Sequence, residues 1–450
     1  MTQPEKSSFN LVEELKSHQK MVGVWGLGYI GFSSMAYFAK NGIVCLGTDV
    51  DETRVKAANL GRTTIPNLDY WLAFDTEQLA RNGLMRATHN WQDLLSNSYP
   101  VHIIAIPTEK GGRPYHGFLK DVLEKLGGFS QVKTDYAPLI IIESTIAPNL
   151  VDNLVTPLLQ SRGLCVGDDI LVGVAPRRDW FTDKSMTLKT LPRVMGGTTP
   201  QTTELMSAII GLVCDCVLKA KDHRHAAMVK SVENAYRQLD ITLANQLSLA
   251  YPDVDMVEVL RLAGTKWNMQ TYHPSFGTGG YCIPVAPRYV LEGATQPEEL
   301  SLLKTSLESD QRQPARIVEA LVKRGVKKVG ILGLAYRGDL KVHTLSPTVS
   351  LLKHLKQAKI EVKVQDPYYS AEEIRELVDT DTFEFTQGLV EFDTVLVVCE
   401  HMQYAYTSPT EIRAALANCR LVLDNTGVWE QITLGDNTEY HRAGAPHWLG

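Results

Sequence analysis

The stretch KMVGVWGLGYIGFSSMAYFAKNGIVCLGTDVDE constrains the fold of this chain more than any other. An apolar run ends at Trp25, Gly26, Gly28 and Gly31 give the spacing G-x-G-x-x-G, small and apolar residues continue to Asn41, and a second apolar run ends in Asp49. Strand, turn, helix and strand are the expected elements. Glycines there let a pyrophosphate approach the backbone amides of Tyr29, Ile30 and Gly31 at a helix N-terminus, and Asp49 can accept from a ribose hydroxyl. The pattern predicts a dinucleotide site at the opening of a doubly wound α/β domain. A carboxylate repels a 2′-phosphate, so Asp49 favours NAD over NADP, with Arg54 nearby in sequence as the opposing feature.

More apolar runs follow: VHIIAIPT ending at Thr108, LIIIEST at Thr145 and DILVGVAP near Pro176. Continuous runs of this kind suit parallel strands covered on both faces. Ligands gather at the carboxyl ends of such strands, which places Thr108, Glu143 and Thr145 along a cleft, although threonines there also serve as caps of the following helices. At 450 residues the chain exceeds one ordinary core and suggests two or three domains. The net charge of −6 offers no basic face for nucleic acid or an anionic membrane. Met1 to Lys20 is a polar tail with an amphipathic segment around FNLVEELKSH and without the apolar core of a secretion signal, and no apolar run reaches bilayer length. Seven scattered cysteines suit reduced thiols in a cytoplasm.

From Leu212 to Tyr251 there is neither glycine nor proline. After a short strand over Cys214 to Leu218, the segment AAMVKSVENAYRQLDITLANQLSLA predicts one long helix with Met228, Val232, Ala235, Leu239 and Leu243 as its buried stripe. Lys230 and Asn234 lie one turn apart on a different face, as a solvated face or as a functional pair. The pairs Cys214/Cys216 and His223/His225 do not have zinc spacing, and no metal site is expected. The segment SFGTGGYCIPVAPR presents Cys282 after Gly277, Gly279 and Gly280, either as a nucleophile on an open loop or as a small thiol in a glycine-rich turn. After the polar stretch GATQPEELSLLKTSLESDQRQ, the strand KKVGILGLAYRGD, the helix SPTVSLLKHLKQA and the strands KIEVKVQDPYY, DTVLVVCE and CRLVLDN predict a second doubly wound domain. It lacks the full glycine fingerprint, so a different phosphate ligand is expected there.

Taken together, GLGYIG with Asp49, IPT, EST, KSVENAYR, GGYCIP, LGLAYR followed by SP, and QDP resemble the UDP-glucose/GDP-mannose dehydrogenase family from about Met21 to Trp429. The resemblance implies two Rossmann-like domains joined by a long central helix and a small helical domain. It divides the chain into an NAD segment (1–205), a central dimerisation segment carrying the catalytic cysteine (206–310) and a nucleotide-sugar segment (311–450). It implies a cytoplasmic homodimer in polysaccharide biosynthesis, oxidising the C6 primary alcohol of a nucleoside-diphosphate sugar to a carboxylate with two NAD reduced per turnover. In that scheme Cys282 forms the thiohemiacetal and thioester, Lys230 and Asn234 hold the oxyanion, and Thr145 holds the hydrolytic water. Gly279, Gly280 and Arg337 contact substrate, Arg337 at the diphosphate. Gly26, Gly28, Tyr29, Ile30, Gly31, Asp49, Arg54, Thr108 and Thr145 bind NAD.

The chain departs from the family pattern at three positions. Arg177 stands where the family has the Glu of N-P-E or P-E-R, Ala286 where it has an Asp four residues beyond the cysteine, and Thr344 where it has an Arg before S-P. Glu143 and Asp179 are the substitutes nearest in sequence for the missing carboxylates, and Arg177 could still stabilise an oxyanion. Loss of both carboxylates leaves open an enzyme that stops at the aldehyde, one that passes the acyl group to an acceptor other than water, or a non-catalytic nucleotide-sugar binder.

Overall fold

The computed structural model describes residues 8–66, 68–178 and 185–450. The chain divides into two compact units, one of Met1–Glu233 with Arg288–Thr295 and one of Asn234–Pro287 with Gln296–Gly450.

The first unit is built on eight strands: β1 (Val22–Trp25), β2 (Cys45–Thr48), β3 (Met85–Thr88), β4 (Val101–Ile104), β7 (Leu139–Ile142), β8 (Leu171–Val174), β9 (Arg193–Gly197) and β10 (Val217–Lys219). A small hairpin, β5 (Glu109–Lys110) with β6 (Arg113–Pro114), stands apart from that sheet. The sheet order is β10-β9-β8-β7-β4-β1-β2-β3, parallel except between β8 and β9. The strands β1, β4 and β7, apolar except for His102, are buried at every position, as expected where helices cover both faces. β1 pairs with β2 on one side and β4 on the other, and Trp25 faces Thr48 and Ile104 in register. The carboxyl ends of the three strands therefore coincide at the point where the strand order reverses, and a ligand crevice opens there. The helix Tyr29–Lys40 buries every residue from Gly31 to Ala39 against this sheet. Leu11 and Leu15 of the helix Ser8–Lys16 also enter the core, so the amphipathic N-terminal segment is a packed element.

The second unit carries a parallel five-stranded sheet in the order β12-β11-β13-β14-β15. These strands are β11 (Lys328–Leu332), β12 (Glu361–Gln365), β13 (Thr394–Val397), β14 (Leu421–Asp424) and β15 (Glu439–Arg442). The order reverses between β12 and β13 around β11, which makes the loop after β11 the ligand-facing one. The stretch expected to be a polar connection is largely a helix, Ser301–Lys323, with Leu303, Leu307, Ile317, Val318 and Leu321 buried. Its apolar spacing is spread thinly among charged residues, and Pro314 lies inside it. A proline there leaves the carbonyl of Asp310 without its helical donor.

The expected long helix runs from His223 to Ala250, but its expected buried stripe is corrected. Met228 is 43% exposed and Leu243 55%, Val232 and Leu239 are half-buried, and of the five only Ala235 is buried. The covered face is mostly polar: Ser231, Asn234, Gln238, Thr242, Asn245 and Ser248. Hydrogen bonds decide this, since Thr242 donates to the Ser306 carbonyl, Gln246 to Ser309 Oγ, and Asn245 Oδ1 accepts from the Ser275 amide. Among the described residues no helix is long and apolar enough to cross a membrane.

Candidate active site

In the first unit the three glycines of the turn serve different ends. Gly26 has φ +92, and a Cβ there would meet the Ala105 carbonyl oxygen at 2.4 Å; one on Gly31 would meet the Gly26 oxygen at 1.8 Å. In front of Gly28, by contrast, nothing lies nearer than Arg54 Nη1 at 3.9 Å, and no side chain caps the helix that begins at Tyr29. An open backbone face at an uncapped helix N-terminus fits a pyrophosphate. Asp49 Oδ2 accepts from the Leu27 amide at 2.6 Å and Oδ1 from the Asp51 amide at 2.9 Å, so the carboxylate ties β2 to the turn. Arg54 lies 3.5 Å from both Asp49 and Asp51. Its charge is thereby shared between two acids.

At the ends of β4 and β7, Thr108 donates its hydroxyl to the Thr145 carbonyl at 2.6 Å, and the Tyr289 hydroxyl donates to the Thr108 carbonyl at 2.7 Å. Thr108 thus braces the two loops. The expectation that Glu143 lines a cleft is corrected: it is 6% exposed, with Arg193 Nη2 2.6 Å from Oε1 and the Ser34 hydroxyl 2.5 Å from Oε2. Arg177 is buried at 1% exposure, donates to Ser34 Oγ at 2.7 Å, and stands 3.9 Å from Glu143. Its guanidinium belongs to this buried knot, so it is not placed to meet an oxyanion at an open site. Burying two guanidiniums around one carboxylate is tolerated because each is hydrogen-bonded. Lys230 Nζ donates to the Arg177 carbonyl, and Arg178 Nη2 pairs with Glu233 at 2.5 Å. Asp179 lies outside the described residues.

In the second unit the glycine loop runs along the long helix. The Ser275 amide donates to Asn245, while Thr278 Oγ1 donates to Gln238 at 3.3 Å and to Asp310 at 2.6 Å. Seven helical residues are about 10 Å. The loop therefore travels toward the Asn234 end of the helix as it approaches Cys282. Asn234 is 5% exposed, and its side-chain nitrogen has no hydrogen-bond partner. Cys282 is partly exposed and precedes the helix Ala286–Gly293, its carbonyl accepting from the Ala286 amide at 2.9 Å. Gly279 and Gly280 were expected to leave room for substrate. Tyr336 takes that room, since a Cβ would lie 2.5 Å from Tyr336 Cβ at Gly279 and 2.7 Å from its ring at Gly280. The Gly280 amide donates to the Thr344 carbonyl at 2.8 Å, so the residue standing in the Arg position holds the cysteine loop through its backbone.

Arg337 lies on the loop after β11, 41% exposed and 4.0 Å from Glu400. Asp366 braces that loop, accepting from the Leu334 and Ala335 amides at 2.8 and 2.9 Å and lying 3.1 Å from His401 Nε2. His401 Nδ1 accepts from the Asp339 amide, which leaves the ring proton on Nε2. Asp366, Cys399 and His401 bring ligand atoms within 4.8 Å of one another, but these hydrogen bonds already use both ring nitrogens and Asp366 Oδ2, and Tyr368 takes Oδ1. The sulfur and imidazole pairs considered earlier have other partners: Cys214 turns to backbone carbonyls, His223 to Asp152 and His225 to Asp222.

Three segments match the domains of one family: residues 20–211 the NAD binding domain, 224–312 the central domain and 330–431 the UDP binding domain of the UDP-glucose/GDP-mannose dehydrogenase family. The chain belongs to that family. Membership makes it an NAD-dependent oxidoreductase of nucleotide sugars. It is 27% identical to Protein CapL of Staphylococcus aureus, covering 90% of this chain and 96% of that one. It is 26% identical to the UDP-N-acetyl-D-mannosamine dehydrogenase of Pyrococcus horikoshii, covering 92% and 97%. With the UDP-N-acetyl-D-glucosamine 6-dehydrogenase of Pseudomonas aeruginosa it shares 27%, covering 87% and 93%. The fold matches the solved UDP-D-ManNAc dehydrogenase of P. horikoshii with a TM-score of 0.81 at 24% identity, covering 95% of this chain and all of that one.

Within this family member, sequence reasoning passed over Ser34, Arg193, Glu233, Tyr289, Asp310 and Tyr336. Glu233 stood in the quoted KSVENAYR, and its spacing from Lys230 was a usable signal. Ser34 and Arg193 gave none, because their meaning comes from Glu143, which they meet only in the folded sheet.

Proposed function

We propose that the chain oxidises the C6 primary alcohol of a UDP-linked N-acetylhexosamine to the carboxylate through covalent attachment to Cys282. The observation that carries this reading is the buried, partnerless amide nitrogen of Asn234 one helical turn from Lys230, at the end of the helix toward which the cysteine loop is laced. A buried donor without a partner costs roughly 1–3 kcal/mol, and an oxygen of the substrate offsets that cost. The thiolate of Cys282 adds to the aldehyde, Lys230 and Asn234 donate to the resulting oxyanion, and the hydroxyl of Thr145 orients the water that cleaves the thioester. The Gly26–Gly31 turn would hold NAD, which would supply the hydride acceptor, one NAD for each of the two oxidations. Arg337 is the cation available to the substrate diphosphate. We divide the labour as an NAD segment (1–205), a central segment (206–310) and a nucleotide-sugar segment (311–450).

The working form is proposed to be a homodimer, supported by the exposed apolar stripe of Met228 and Leu243 on the long helix. A cytoplasmic location is supported by seven free cysteines. The sugar is taken from the named relatives, two of which act on UDP-linked N-acetylhexosamines. The test is a thermal-shift screen of nucleotide sugars with NAD, followed by counting NADH per sugar consumed. About two supports the four-electron reaction; one or none transfers the assignment to an aldehyde-forming or non-catalytic homologue.

A further inference from the structure

We propose that residues Ala443–Gly450 form a strap that holds the cysteine loop, and that Trp448 is a positioning residue for Cys282, acting through Phe276. The inference rests on Cys282 being the nucleophile of the proposed function. All of these residues lie in the second unit. After β15 ends at Arg442, the chain turns back to the carboxyl end of β14, where the Ala443 amide donates to the Asp424 carbonyl at 2.8 Å. It then crosses to the segment that leads into the cysteine loop. The Gly444 carbonyl accepts from the Met256 amide at 3.0 Å, and the His447 amide donates to the Pro252 carbonyl at 2.6 Å. Gly444 has φ +89, and a Cβ there would lie 2.6 Å from Pro274 Cγ, so the strap backbone rests on the residue two before Phe276. His447 takes φ +54, a left-handed turn that costs a non-glycine residue free energy and persists only where its neighbours hold it. Here its amide is tied to Pro252 and its carbonyl accepts from Arg324 Nη2 at 3.3 Å, while Arg324 Nη1 lies 3.1 Å from Glu439. The turn sends Trp448 into the core. It is 2% exposed and its ring lies parallel to that of Phe276, itself 0% exposed, with centroids 6.2 Å apart.

Between Phe276 and Cys282 the loop has little slack, because alternate amides are pinned. The Phe276 amide donates to Asn425 Oδ1 at 2.7 Å, the Thr278 amide to Asp310 Oδ1 at 3.0 Å, and the Gly280 amide to the Thr344 carbonyl at 2.8 Å. Cys282 follows two residues after the last of these. Gly277, with φ +127, sits between the first two pins and is the joint about which the loop swings when the first is lost. Packing on Phe276 therefore fixes where the loop starts, and the two later pins carry that placement toward the thiol. The indole nitrogen of Trp448 is buried without a hydrogen-bond partner among the described residues. The ring thus acts by its flat apolar face. Phenylalanine at 448 keeps that face and removes the unpaired donor, whereas leucine keeps apolar volume without the stack.

The experiment compares the full chain with Trp448→Phe, Trp448→Leu and Gly444→Ala, the last of which drives a methyl into Pro274 while keeping the indole. Each protein is alkylated with iodoacetamide and the rate at every cysteine is read by peptide mass spectrometry, since alkylation reports local opening. Cys399 and Cys419, both buried in the same unit, report whether the fold itself has loosened. NADH formation is measured in parallel with NAD and either UDP-N-acetylglucosamine or UDP-N-acetylmannosamine. Trp448→Leu and Gly444→Ala are expected to raise alkylation of Cys282 at least about threefold with Cys399 and Cys419 still protected. They should lower kcat at least about tenfold and leave KM for NAD within about twofold, because a displaced nucleophile loses alignment while the cofactor turn is untouched. Trp448→Phe should stay within about twofold of the wild type in every reading. Unchanged alkylation of Cys282 in both disruptive variants overturns the strap, as does labelling of all three cysteines together in Gly444→Ala, which marks a purely structural role. Wild-type kcat in both also overturns it and leaves the proposed function standing. A wild type that forms no NADH from either sugar, with the alkylation pattern as expected, overturns the proposed function and leaves the strap as the support of the Cys282 loop.

Discussion

Cys282 and Lys230 are single side chains whose loss should be read directly in product. Cys282→Ser removes the thiolate, and acid formation is expected to fall below detection, with slow exchange between alcohol and aldehyde remaining. Lys230→Ala removes one oxyanion donor and should cost about 10²–10³ in rate. Near wild-type acid production by either variant would sink the assignment. At the cofactor turn, Asp49 as the proposed ribose-binding acid would repel a 2′-phosphate, and the opposing charge of Arg54 is shared with Asp51. NAD is therefore expected to bind more tightly than NADP, as measured by calorimetric titration, and a dissociation constant favouring NADP contradicts that.

At the scale of an element, β4 carries a histidine in a strand otherwise suited to the core. His102 is fully buried, its Nδ1 accepts from Trp25 Nε1 at 3.1 Å, and burial pushes its pKa down to about 3. In the unfolded chain the ring titrates near 6.5. Above that pH both states are neutral and the stability is fully present. Below it the unfolded chain binds a proton that the folded one refuses, so stability falls by about 1.4 kcal/mol per pH unit until the folded pKa is reached. The melting temperature should drop from pH 7 to pH 5 more steeply in the wild type than in His102→Gln, whatever the absolute stability of the variant. Equal slopes would show that another group governs the acid transition. The long helix teaches a related lesson, because its polar face is the buried one: Gln238, Thr242 and Asn245 are held there by hydrogen bonds, while the amide nitrogen of Asn234 has no partner among the described residues.

At the scale of the whole molecule, Met228 and Leu243 on that helix stay exposed among the described residues. Burying the remaining exposed surface of Met228 and Leu243 is worth about 1 kcal/mol each, and a symmetric pairing counts each twice. Leu243→Arg is expected to shift the protein from dimer to monomer in light scattering coupled to gel filtration, with circular dichroism unchanged. A wild type that is already monomeric would overturn the proposed dimer, and a dimer indifferent to the substitution would place the interface elsewhere.

The sequence by itself determined both doubly wound sheets, the dinucleotide turn and the family. These rest on local rules: glycine spacing, continuous apolar runs and the residues that close strands, each legible within about twenty positions. It also identified Cys282, Lys230 and Asn234 as the residues to examine. It could not decide which face of the long helix is covered, because periodicity marks a stripe without saying what packs on it. It missed the helix Ser301–Lys323 for the same reason, the apolar positions being too sparse among charges to stand out. Only the tertiary structure showed that Tyr336 fills the space beside Gly279 and Gly280. Only there does Glu143 meet Ser34, Arg177 and Arg193, residues 109, 34 and 50 positions away. Whether a carboxylate is a base or a buried counter-ion depends on which charges the fold brings to it, and contacts at that separation leave no signal in the local pattern.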